Sequence, residues 1–327
     1  MVKIMNKKKI FLDGSAGTTG LRIRERLALR DDIQIITVPE EFRKDASARA
    51  DAINSSDITF LCLPDDAARE SASLAENENV VIIDTSTAHR THPDWTYGFP
   101  EIAGRRDEVM NSKRIANPGC HASGFIALTA PLVENNVIAP DAELVCTSLT
   151  GYSGGGKKMI AEYESLGFGS GMQDYPQTID RKTRLFEAPR MYGLSQSHKH
   201  LAEMVKVCGL EKTPVFCPIV APFYSGMEVT VPLFRDRISA DMDDICSIYA
   251  DYYKKGLVHF DKGSDEAGFL SAAAFSGRDD MQISVYGNED RILLVSRFDN
   301  LGKGASGAAI QNMNLVLGVD ETTGLNV

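Results

Sequence analysis

Short apolar runs, separated by polar stretches with helical spacing, fill the first third of the chain. The apolar runs predict strands at residues 9–13, 33–38, 58–63, 80–84 and 114–116. Between the first three of them, amphipathic stretches predict helices at residues 21–29 and 46–53. Strands that alternate with helices at this spacing favour a doubly wound α/β fold with a mostly parallel sheet.

The pattern changes after Pro140, where longer and partly alternating runs follow. They predict strands at residues 143–150, 215–220, 227–234, 282–286 and 291–298. Helices are predicted at residues 157–166, 196–207 and 243–253, which gives this part an α+β character with an antiparallel sheet. The tail at 304–318 predicts a long helix that packs back on the first domain.

The length of 327 residues favours two domains of ordinary size. We expect the first to comprise residues 1–118, completed by a C-terminal helix at 300–327, and the second to comprise residues 119–299. The net charge of −10 argues against a nucleic-acid partner, because phosphates would be repelled and no basic patch is present. No apolar run is long enough to span a bilayer.

The six cysteines indicate a reducing compartment. They form no Cys-x-x-Cys pair, so the sequence indicates neither a zinc site nor a disulfide framework. The basic run at residues 7–9 precedes a predicted strand rather than an apolar signal core, so we expect no export signal. We therefore expect a cytoplasmic protein that binds no metal, no membrane and no nucleic acid.

Three glycines spaced by three follow the first predicted strand and open a helix. Backbone N–H groups in such a turn can approach the pyrophosphate of a dinucleotide at the helix N-terminus, as in Rossmann-like domains. The candidate cofactor-binding residues of this turn are Gly14, Ser15, Ala16, Gly17, Thr18 and Thr19. Because the commoner spacing is Gly-x-Gly-x-x-Gly, a tight turn without a ligand is the competing interpretation.

Basic residues follow the second predicted strand. In NAD-specific folds an acidic residue usually ends this strand and holds the ribose hydroxyls, whereas here Arg43 and Lys44 stand beyond it. A guanidinium and an ammonium are the usual partners of a 2′-phosphate, so the sequence favours NADP over NAD. Glu40 and Glu41 argue the other way, and a solvated charge cluster is the alternative.

The segment around Cys120 predicts a nucleophile. Asn117-Pro118-Gly119 is a turn sequence, and residues 120–133 carry apolar side chains at helical spacing, so Cys120 is expected in the first helical turn. Unpaired N–H groups and the positive end of the helix dipole favour the thiolate there. A buried structural cysteine is the alternative.

A cysteine nucleophile beside a nicotinamide implies acyl chemistry between the aldehyde and acid oxidation levels, through a thiohemiacetal or a thioester. This chemistry needs a proton donor and acceptor, for which His198 and His200 are the candidates. Their side chains project to the same side if the segment is extended and diverge if it is helical, so the choice between them stays open. His121 lies beside the nucleophile and is a further histidine of interest.

Two further loops carry groups suited to an anionic ligand. Residues 150–158 form a glycine-rich loop in which Ser153 and Gly154 bring backbone close to a cofactor, while Lys157 can meet an anionic substrate. Arg90 follows a parallel strand, at the edge where ligands of open α/β sheets bind, and is a candidate phosphate clamp. A flexible hairpin and a surface arginine are the respective alternatives.

Together these segments resemble the N-acetyl-γ-glutamyl-phosphate reductases, NADP-dependent acyl-phosphate reductases of arginine biosynthesis, and more closely their shorter second type. The matching segments are residues 13–20, 39–45, 84–90, 117–120, 153–157, 198–200, 298–307 and 311–314. They span nearly the whole chain, and the last two are the most specific. The resemblance implies that Cys120 is the nucleophile, that residues 198–200 supply the acid/base and that Asn300 lies near the nicotinamide.

The resemblance also implies a reaction, the NADPH-dependent reduction of N-acetyl-γ-glutamyl phosphate to N-acetylglutamate 5-semialdehyde and phosphate through a cysteine thioester. Arg90, Asn117 and Lys157 are then the candidate substrate-binding residues. The first domain binds NADP, and the second carries the catalytic residues and the contacts of a homodimer or homotetramer. His121-Ala122-Ser123 departs from the family, where tyrosine with proline or alanine and threonine is more usual, which affects substrate positioning rather than the reaction.

Other functions stay open from the sequence. Aspartate-semialdehyde dehydrogenases share the nucleotide domain and the cysteine, but their acid/base histidine typically follows an arginine on one helix, whereas the pair of His198 and His200 favours the acetylated substrate. A reductase of carrier-protein-bound acyl groups would need a basic docking surface, which this acidic sequence does not indicate. An NADP-binding regulator would keep the fold with an inert Cys120. A cysteine hydrolase would not need the glycine-rich turn.

Overall fold

The structure, a computed structural model, describes residues 7–15, 17–169 and 181–327. The chain folds into two compact units. One comprises the chain up to Pro118 together with Ala305–Leu325, and the other comprises Gly119–Gly304 with Asn326–Val327.

The first unit is built on a six-stranded parallel sheet. Its strands are β1 (Lys8–Asp13), β2 (Ile33–Ile36), β3 (Ile58–Leu61), β4 (Val81–Asp84), β5 (Thr96–Tyr97) and β6 (Arg114–Ala116). They lie in the order β2-β1-β3-β4-β6-β5 with parallel pairings. The helices of this unit are α1 (Thr18–Leu27), α2 (Ala46–Asn54), α3 (Asp65–Ser73), α4 (Arg105–Asn111) and the C-terminal helix (Gly307–Leu317). The predicted parallel α/β fold is confirmed.

Helices pack on both faces of this sheet, which explains why its strands are apolar runs rather than alternating ones. On β1, Ile10 and Leu12 belong to one core cluster with Ile23 of α1. Phe11, which points to the opposite face, packs with Ile53 of α2. β3 and β4 are buried at every position.

The sequence pattern did not predict α3, α4 or β5. The residues that α3 buries are Ala68 and Ser71, and side chains this small give little hydrophobic periodicity. β2 ends at Ile36, two residues earlier than predicted, and Pro39 is then the N-cap of a short 3₁₀ helix, Glu40–Phe42.

The second unit contains a seven-stranded mixed sheet. Its strands are β7 (Val145–Gly151), β8 (Arg190–Met191), β9 (Val215–Ala221), β10 (Met227–Phe234), β11 (Val258–Phe260), β12 (Met281–Gly287) and β13 (Arg291–Phe298), in the order β11-β12-β13-β10-β7-β9-β8. β7 pairs with β9, and β11 with β12, in parallel, whereas the other pairings are antiparallel. The predicted antiparallel sheet is therefore wrong at these two pairs. The chain between β7 and β9 includes helices and is long enough for the crossover that parallel strands require.

Helices cover one face of the mixed sheet. The helices of this unit are α5 (Cys120–Glu134), α6 (Gly156–Glu164), α7 (Arg181–Glu187), α8 (Leu201–Cys208) and α9 (Met242–Tyr252). α5 lies against β10 and β13, and Gly124 permits this close approach. A Cβ at Gly124 would lie 2.4 Å from Val229 Cγ2 and 2.7 Å from Ser296 Oγ.

The opposite face of the sheet, here called the outer face, is exposed only in part, because Val295 and Arg297 on that face are buried. Along β10, Val229, Val231 and Leu233 are buried toward α5, while alternate side chains point outward. Exposed apolar side chains of the outer face include Val145, Val215, Phe234 and Leu293. Of the helices in the described part of the chain, none combines the length and the apolar character needed to cross a bilayer.

Candidate active site

The glycine-rich turn of the first unit follows β1 and depends on its first glycine. Gly14 has φ +85°, and a Cβ there would lie 2.4 Å from the carbonyl oxygen of Cys62. α1 begins at Thr18, after Gly17; within the described residues no side chain caps it and its first turn carries no acidic residue. Its first N–H groups therefore suit an anionic ligand. Ala16, a predicted cofactor residue, lies outside the described residues.

A cavity of about 420 Å³ lies beside this turn. The residues that line it include Gly14, Ser15, Arg24, Arg43 and Lys44. The cavity thus joins the glycine-rich turn to the two predicted phosphate-binding cations beyond β2. Arg24 of α1 adds a third cation, which the sequence pattern did not single out. Arg43 pairs with Glu40 at 2.9 Å, and because both side chains are exposed this pair can exchange for a phosphate at little cost.

Asp13, the acidic residue at the end of β1, is already bonded within the protein. Its buried Oδ2 accepts hydrogen bonds from Arg49 Nε at 2.9 Å and from Ser71 Oγ at 2.6 Å. The guanidinium of Arg49 neutralises this carboxylate, so the remaining charge of the lining is dominated by cations. The lining therefore fits a dinucleotide that carries an additional phosphate.

Arg90 and Asn117, both predicted to bind substrate, bond to backbone groups of the first unit. Arg90 Nε donates to the carbonyl oxygen of Asn117 at 2.9 Å, and Arg90 Nη2 donates to that of Thr85 at 3.1 Å. The Asn117 amide donates to the Ala305 carbonyl oxygen at 3.0 Å and accepts from Asn312 at 3.2 Å. These bonds fix the loops after β4 and β6. A substrate contact by either side chain stays a prediction.

Cys120 is the first residue of α5, and Gly119 is the N-cap. Its side chain is partly exposed at the positive end of a helix of 15 residues, where the thiolate is favoured. Desolvation acts in the opposite sense on other cysteines. It raises the pKa of the Cys62 thiol to about 12 and also raises the pKa values of Cys146 and Cys208.

An irregular segment before α8 brings the two predicted acid/base histidines together. The ring centroids of His198 and His200 lie 4.7 Å apart, with the ring planes at 77°. The backbone N–H of His200 donates to His198 Nδ1 at 3.2 Å, so a neutral His198 ring carries its proton on Nε2. Burial, with a contribution from Lys199, lowers the pKa of His198, so this ring is neutral at neutral pH.

A third imidazole, that of His121, packs against this pair. Its ring centroid lies 5.7 Å from that of His198 and 5.5 Å from that of His200. His121 Nδ1 is 2.6 Å from Ser148 Oγ, and Nε2 is 2.6 Å from the hydroxyl of Tyr192. Burial and the neighbouring His198 lower the pKa of His121 to about 3, so this ring is neutral as well.

Glu203 joins the histidine pair to the backbone beside the nucleophile. Its Oε2 accepts a hydrogen bond from the Gly119 N–H at 3.1 Å, and its Oε1 lies 3.9 Å from His200 Nε2. The side chain is buried. This residue was not predicted from the sequence, although a position three residues after His200 places both on one side of a helix.

Asn300 and the glycine-rich loop after β7 lie together in the second unit. The Asn300 amide accepts from the Gly226 N–H at 3.0 Å and donates to Ser153 Oγ at 3.0 Å. A Cβ at Gly154 would lie 3.5 Å from Asn300 Nδ2. The structure therefore groups Asn300, Ser153 and Gly154, while Lys157 is exposed on the first turn of α6.

Gly304 lies directly against Cys120. It belongs to a π-helical turn, Gly302–Ser306, and a Cβ on Gly304 would come within 2.9 Å of Cys120 Cβ. Turns of this kind are frequent at functional sites. A larger side chain at position 304 would crowd Cys120, which explains why the motif at residues 298–307 has a glycine there.

Two family models match the chain. Residues 15–111 match the semialdehyde dehydrogenase NAD binding domain, and residues 120–300 match the semialdehyde dehydrogenase dimerisation domain. Aspartate semialdehyde dehydrogenase II from Vibrio cholerae has the same fold, with a TM-score of 0.70 at 19% identity over 95% of this chain and 99% of that one. The aspartate semialdehyde dehydrogenase from Francisella tularensis also matches, with a TM-score of 0.70 at 16% identity over 95% and 100%. Fold and family models define an oxidoreductase of the semialdehyde dehydrogenase class.

Relatives with a higher sequence identity show which family within this class the chain belongs to. The chain is 42% identical to N-acetyl-gamma-glutamyl-phosphate reductase 2 of Nostoc sp., over 98% of this chain and 100% of the relative. It is also 42% identical to the N-acetyl-gamma-glutamyl-phosphate reductase of Brucella ovis, over 95% of this chain and 99% of the relative. The chain belongs to the N-acetyl-γ-glutamyl-phosphate reductase family, which confirms the resemblance drawn from the sequence motifs.

Proposed function

We propose that this protein reduces N-acetyl-γ-glutamyl phosphate to N-acetylglutamate 5-semialdehyde and phosphate with NADPH, as a cytoplasmic enzyme of arginine biosynthesis. The relatives at 42% identity are named for a reductase of this phosphate. The observation that carries the proposal is the placement of Cys120 at the start of α5, in the same unit as the paired rings of His198 and His200. Glu203 contacts both the residue before the nucleophile and His200.

The first unit would hold the cofactor. Gly14, Ser15, Gly17, Thr18 and Thr19 are proposed to contact the pyrophosphate through backbone N–H groups and short side chains, and Ala16 shares this proposed role. Arg43 and Lys44, which line the same cavity, would bind the 2′-phosphate that distinguishes NADP from NAD. Asn300, Ser153 and Gly154 of the second unit are proposed to contact the nicotinamide half. NADPH, when bound, supplies the hydride that reduces the thioester carbonyl.

Cys120 would perform the covalent step. Its thiolate attacks the carbonyl carbon of the acyl phosphate, a C–S bond forms, and phosphate leaves with the electron pair of the broken C–O bond. The N–H groups at the start of α5 stabilise negative charge on sulfur and on the carbonyl oxygen. After reduction the C–S bond breaks, which releases the aldehyde and returns the thiolate.

Between the two histidines, the hydrogen bonds favour His198 as the group that serves the reacting oxygen. Its Nδ1 accepts from the His200 N–H, so Nε2 carries the proton and can donate to an oxygen that gains charge. His200 faces Glu203 instead and would hold the pair in place.

The anionic groups of the substrate would be met by Arg90, Asn117 and Lys157. The backbone bonds of Arg90 hold its guanidinium in a fixed orientation, as recognition of a phosphate requires. Lys157 is exposed, so an anion can reach its ammonium.

The test is the reverse reaction, the phosphate-dependent reduction of NADP⁺ by N-acetylglutamate semialdehyde. Aspartate semialdehyde and NAD⁺ are run beside it. Turnover that needs phosphate and the acetylated aldehyde, and that is lost in Cys120→Ser but kept in Cys217→Ser, supports the proposal. Cys217 is a matched control because its thiol is also partly exposed. Activity with aspartate semialdehyde alone, silence with both aldehydes, or turnover by Cys120→Ser would overturn it.

We also propose that the protein assembles through the outer face of the mixed sheet, as a homodimer or a dimer of dimers. The family model that matches residues 120–300 is described as a dimerisation domain. Val215, Phe234 and Leu293 are 53%, 65% and 42% exposed, and apolar surface of this kind marks an interaction site. Light scattering coupled to size exclusion should show an oligomer that Leu293→Glu dissociates. Leu29→Glu, at a site 87% exposed in the first unit, should leave it intact. A monomeric wild-type protein would exclude this assembly.

A further inference from the structure

Asp299 is a fully buried carboxylate beside the proposed cofactor-binding residues of the second unit, and it directly follows β13. Its Oδ1 accepts hydrogen bonds from the backbone N–H groups of Leu301 at 2.7 Å and Gly302 at 3.3 Å. Its Oδ2 accepts from Ser225 Oγ at 2.9 Å and from the Gly277 N–H. Hydrogen bonds to a charged group are stronger than those between neutral groups, so the four donors are held firmly around this carboxylate.

One of these donors ties Asp299 to the segment that holds the Asn300 amide. Ser225 donates to Asp299, and the next residue, Gly226, donates its N–H to Asn300 Oδ1 at 3.0 Å. Two consecutive residues thus pair with two consecutive residues. The carbonyl oxygen of Gly226 also accepts from the N–H of Gly151 at 3.0 Å, at the start of the glycine-rich loop. Asp299 therefore fixes the segment to which both Asn300 and this loop are bonded.

The backbone N–H of Gly226 determines how the Asn300 amide is turned. A backbone N–H can only donate, so the amide atom that faces it is the oxygen. The amide nitrogen then faces Ser153 and donates to its hydroxyl oxygen at 3.0 Å. Asn300 and Ser153 are both buried, so water does not compete for these bonds. The segment that Asp299 fixes therefore also sets the direction of the Asn300 amide nitrogen.

The backbone of Asp299 holds the turn beside the nucleophile. Its carbonyl oxygen accepts from the N–H groups of Gly302 at 3.1 Å and Gly304 at 3.0 Å, both in the π-helical turn. Gly304 packs against Cys120, since a Cβ on Gly304 would lie 2.9 Å from Cys120 Cβ. One residue is therefore hydrogen-bonded both to the turn beside Cys120 and to the segment that holds Asn300.

We propose that Asp299 is a positioning residue that sets the place of the nicotinamide relative to the sulfur of Cys120. This inference rests on the proposed function, in which Cys120 is the nucleophile and Asn300 contacts the nicotinamide half of the cofactor. Asp299 acts on the Asn300 amide through Ser225, and on the space beside Cys120 through the N–H groups of the π-helical turn. The rate of a reaction between groups held by a protein depends steeply on their mutual position, so a carboxylate that fixes both sides affects that rate.

The first readout is the binding of NADPH to the full-length protein without substrate, measured by titration of the NADPH fluorescence. Asp299→Asn keeps the shape of the side chain but replaces an acceptor oxygen with a donor group, so at least one of the four bonds is lost. The Kd for NADPH should rise about tenfold, the equivalent of one hydrogen bond to the cofactor. A merely structural defect would lower the number of binding sites per protein and leave the Kd unchanged.

The second readout is the phosphate-dependent reduction of NADP⁺ by N-acetylglutamate semialdehyde. Asp299→Asn should lower kcat by about 10²-fold, because the nicotinamide is displaced from the reacting carbon. The KM for phosphate should not change, since the proposed phosphate contacts lie elsewhere. A rise in the KM for phosphate that matches the rise in the Kd for NADPH would overturn the proposal, because it would show a general disturbance of the site.

Asp241→Ala is the matched control. Asp241 is another carboxylate of the second unit that organises backbone, because it accepts from the N–H of Asp244 at the start of α9. Its removal should lower the urea midpoint through loss of a helix N-cap, while the Kd for NADPH and kcat stay at their wild-type values.

A double-mutant cycle shows whether Asp299 acts through Asn300. Asn300→Ala should raise the Kd for NADPH by about tenfold or more, and the variant with both substitutions should raise it no further than Asn300→Ala alone. Effects that multiply in the double variant, or a Kd that Asp299→Asn leaves unchanged, would overturn the proposal. Should Asp299→Asn fail to fold, Ser225→Ala takes its place in the cycle with the same expected result, since it removes the bond that joins Asp299 to the segment at Gly226.

The outcomes also separate this proposal from the proposed function. A wild-type protein that neither binds NADPH nor reduces NADP⁺ would overturn both. An active wild type with an unchanged Kd in Asn300→Ala would overturn the contact between Asn300 and the nicotinamide, and this proposal with it, while the reaction itself stands. A raised Kd in Asn300→Ala but not in Asp299→Asn would overturn only the role of Asp299.

Discussion

The carboxylate of Glu203 accepts a hydrogen bond from the backbone N–H of Gly119 at 3.1 Å, although the two residues are 84 positions apart in the chain. The bond ties α8 to the residue that precedes Cys120. The other carboxylate oxygen lies 3.9 Å from His200 Nε2. One buried side chain therefore sets the positions of both the nucleophile and the histidine pair.

Glu203→Ala should impair stability and catalysis together. The Gly119 N–H would lose its charged partner, which lowers the free energy of unfolding by about 1–3 kcal/mol. Displacement of the start of α5 should lower kcat by about 10²-fold. Urea unfolding and steady-state kinetics measure the two effects. Glu203→Gln keeps a carbonyl acceptor and should retain most of the stability. Equal kcat in the wild type and Glu203→Ala would contradict the positioning role.

The two histidines should differ in their kinetic effect. His198→Asn removes the Nε2–H donor and should lower kcat by a factor of about 10²–10⁴, the usual range for an acid/base group. His200→Asn should have a smaller effect on kcat, because His200 acts through the geometry of the pair. Steady-state kinetics of both variants decide the assignment, and the opposite order would transfer the role to His200.

Cofactor discrimination should reside in Arg43 and Lys44. Replacing either by alanine removes a charged partner of the 2′-phosphate, so the KM for NADPH should rise about tenfold while that for NADH stays constant. Arg24→Ala should act in the same direction, since Arg24 lines the same cavity. Arg237→Ala is the control, because that side chain is exposed in the second unit. A parallel rise of both KM values would point to a structural effect instead.

His121 should make the protein less stable in mild acid. Its pKa is about 3 in the folded protein and near 6.5 in the unfolded chain, so the unfolded state binds more protons below pH 6.5. The stability that the neutral ring contributes is complete above pH 6.5 and is lost as the pH falls toward 3. Between pH 8 and pH 5, the stability advantage of the wild type over His121→Gln should shrink by about 2 kcal/mol.

Urea unfolding of both proteins at the two pH values measures this change. The lowered pKa of His198 acts in the same direction in both proteins and cancels in the difference. An advantage that is the same at pH 8 and pH 5 would show that His121 titrates normally in the folded state.

The local residue pattern predicted the elements that short stretches of sequence determine. The apolar runs gave the parallel sheet, and the turn before Cys120 gave the start of α5. The parallel pairing of β7 with β9 was missed, because pairing in a mixed sheet depends on how a long connection crosses and not on the strands themselves.

The site was predictable in its residue types and less so in its contacts. Cys120, His198 and His200 carry reactive groups and stand in recognisable motifs. Glu203 and Tyr192 were not singled out, because they bond to Gly119 and His121 across 84 and 71 residues of sequence. The direction of the Arg90 guanidinium could not be predicted either. It donates to backbone carbonyl oxygens, and every residue has such an oxygen, so the residue pattern does not indicate which ones it binds.

The outer face of the mixed sheet also bears on solubility. A free subunit would present Val145, Val215, Phe234 and Leu293 to water, and any other apolar surface can adhere to them. The net charge of −10 opposes such adhesion by mutual repulsion of subunits, and this repulsion weakens as salt is added. We therefore expect precipitation when dilution separates the subunits at high salt. At low salt, the same dilution should leave dissolved monomers.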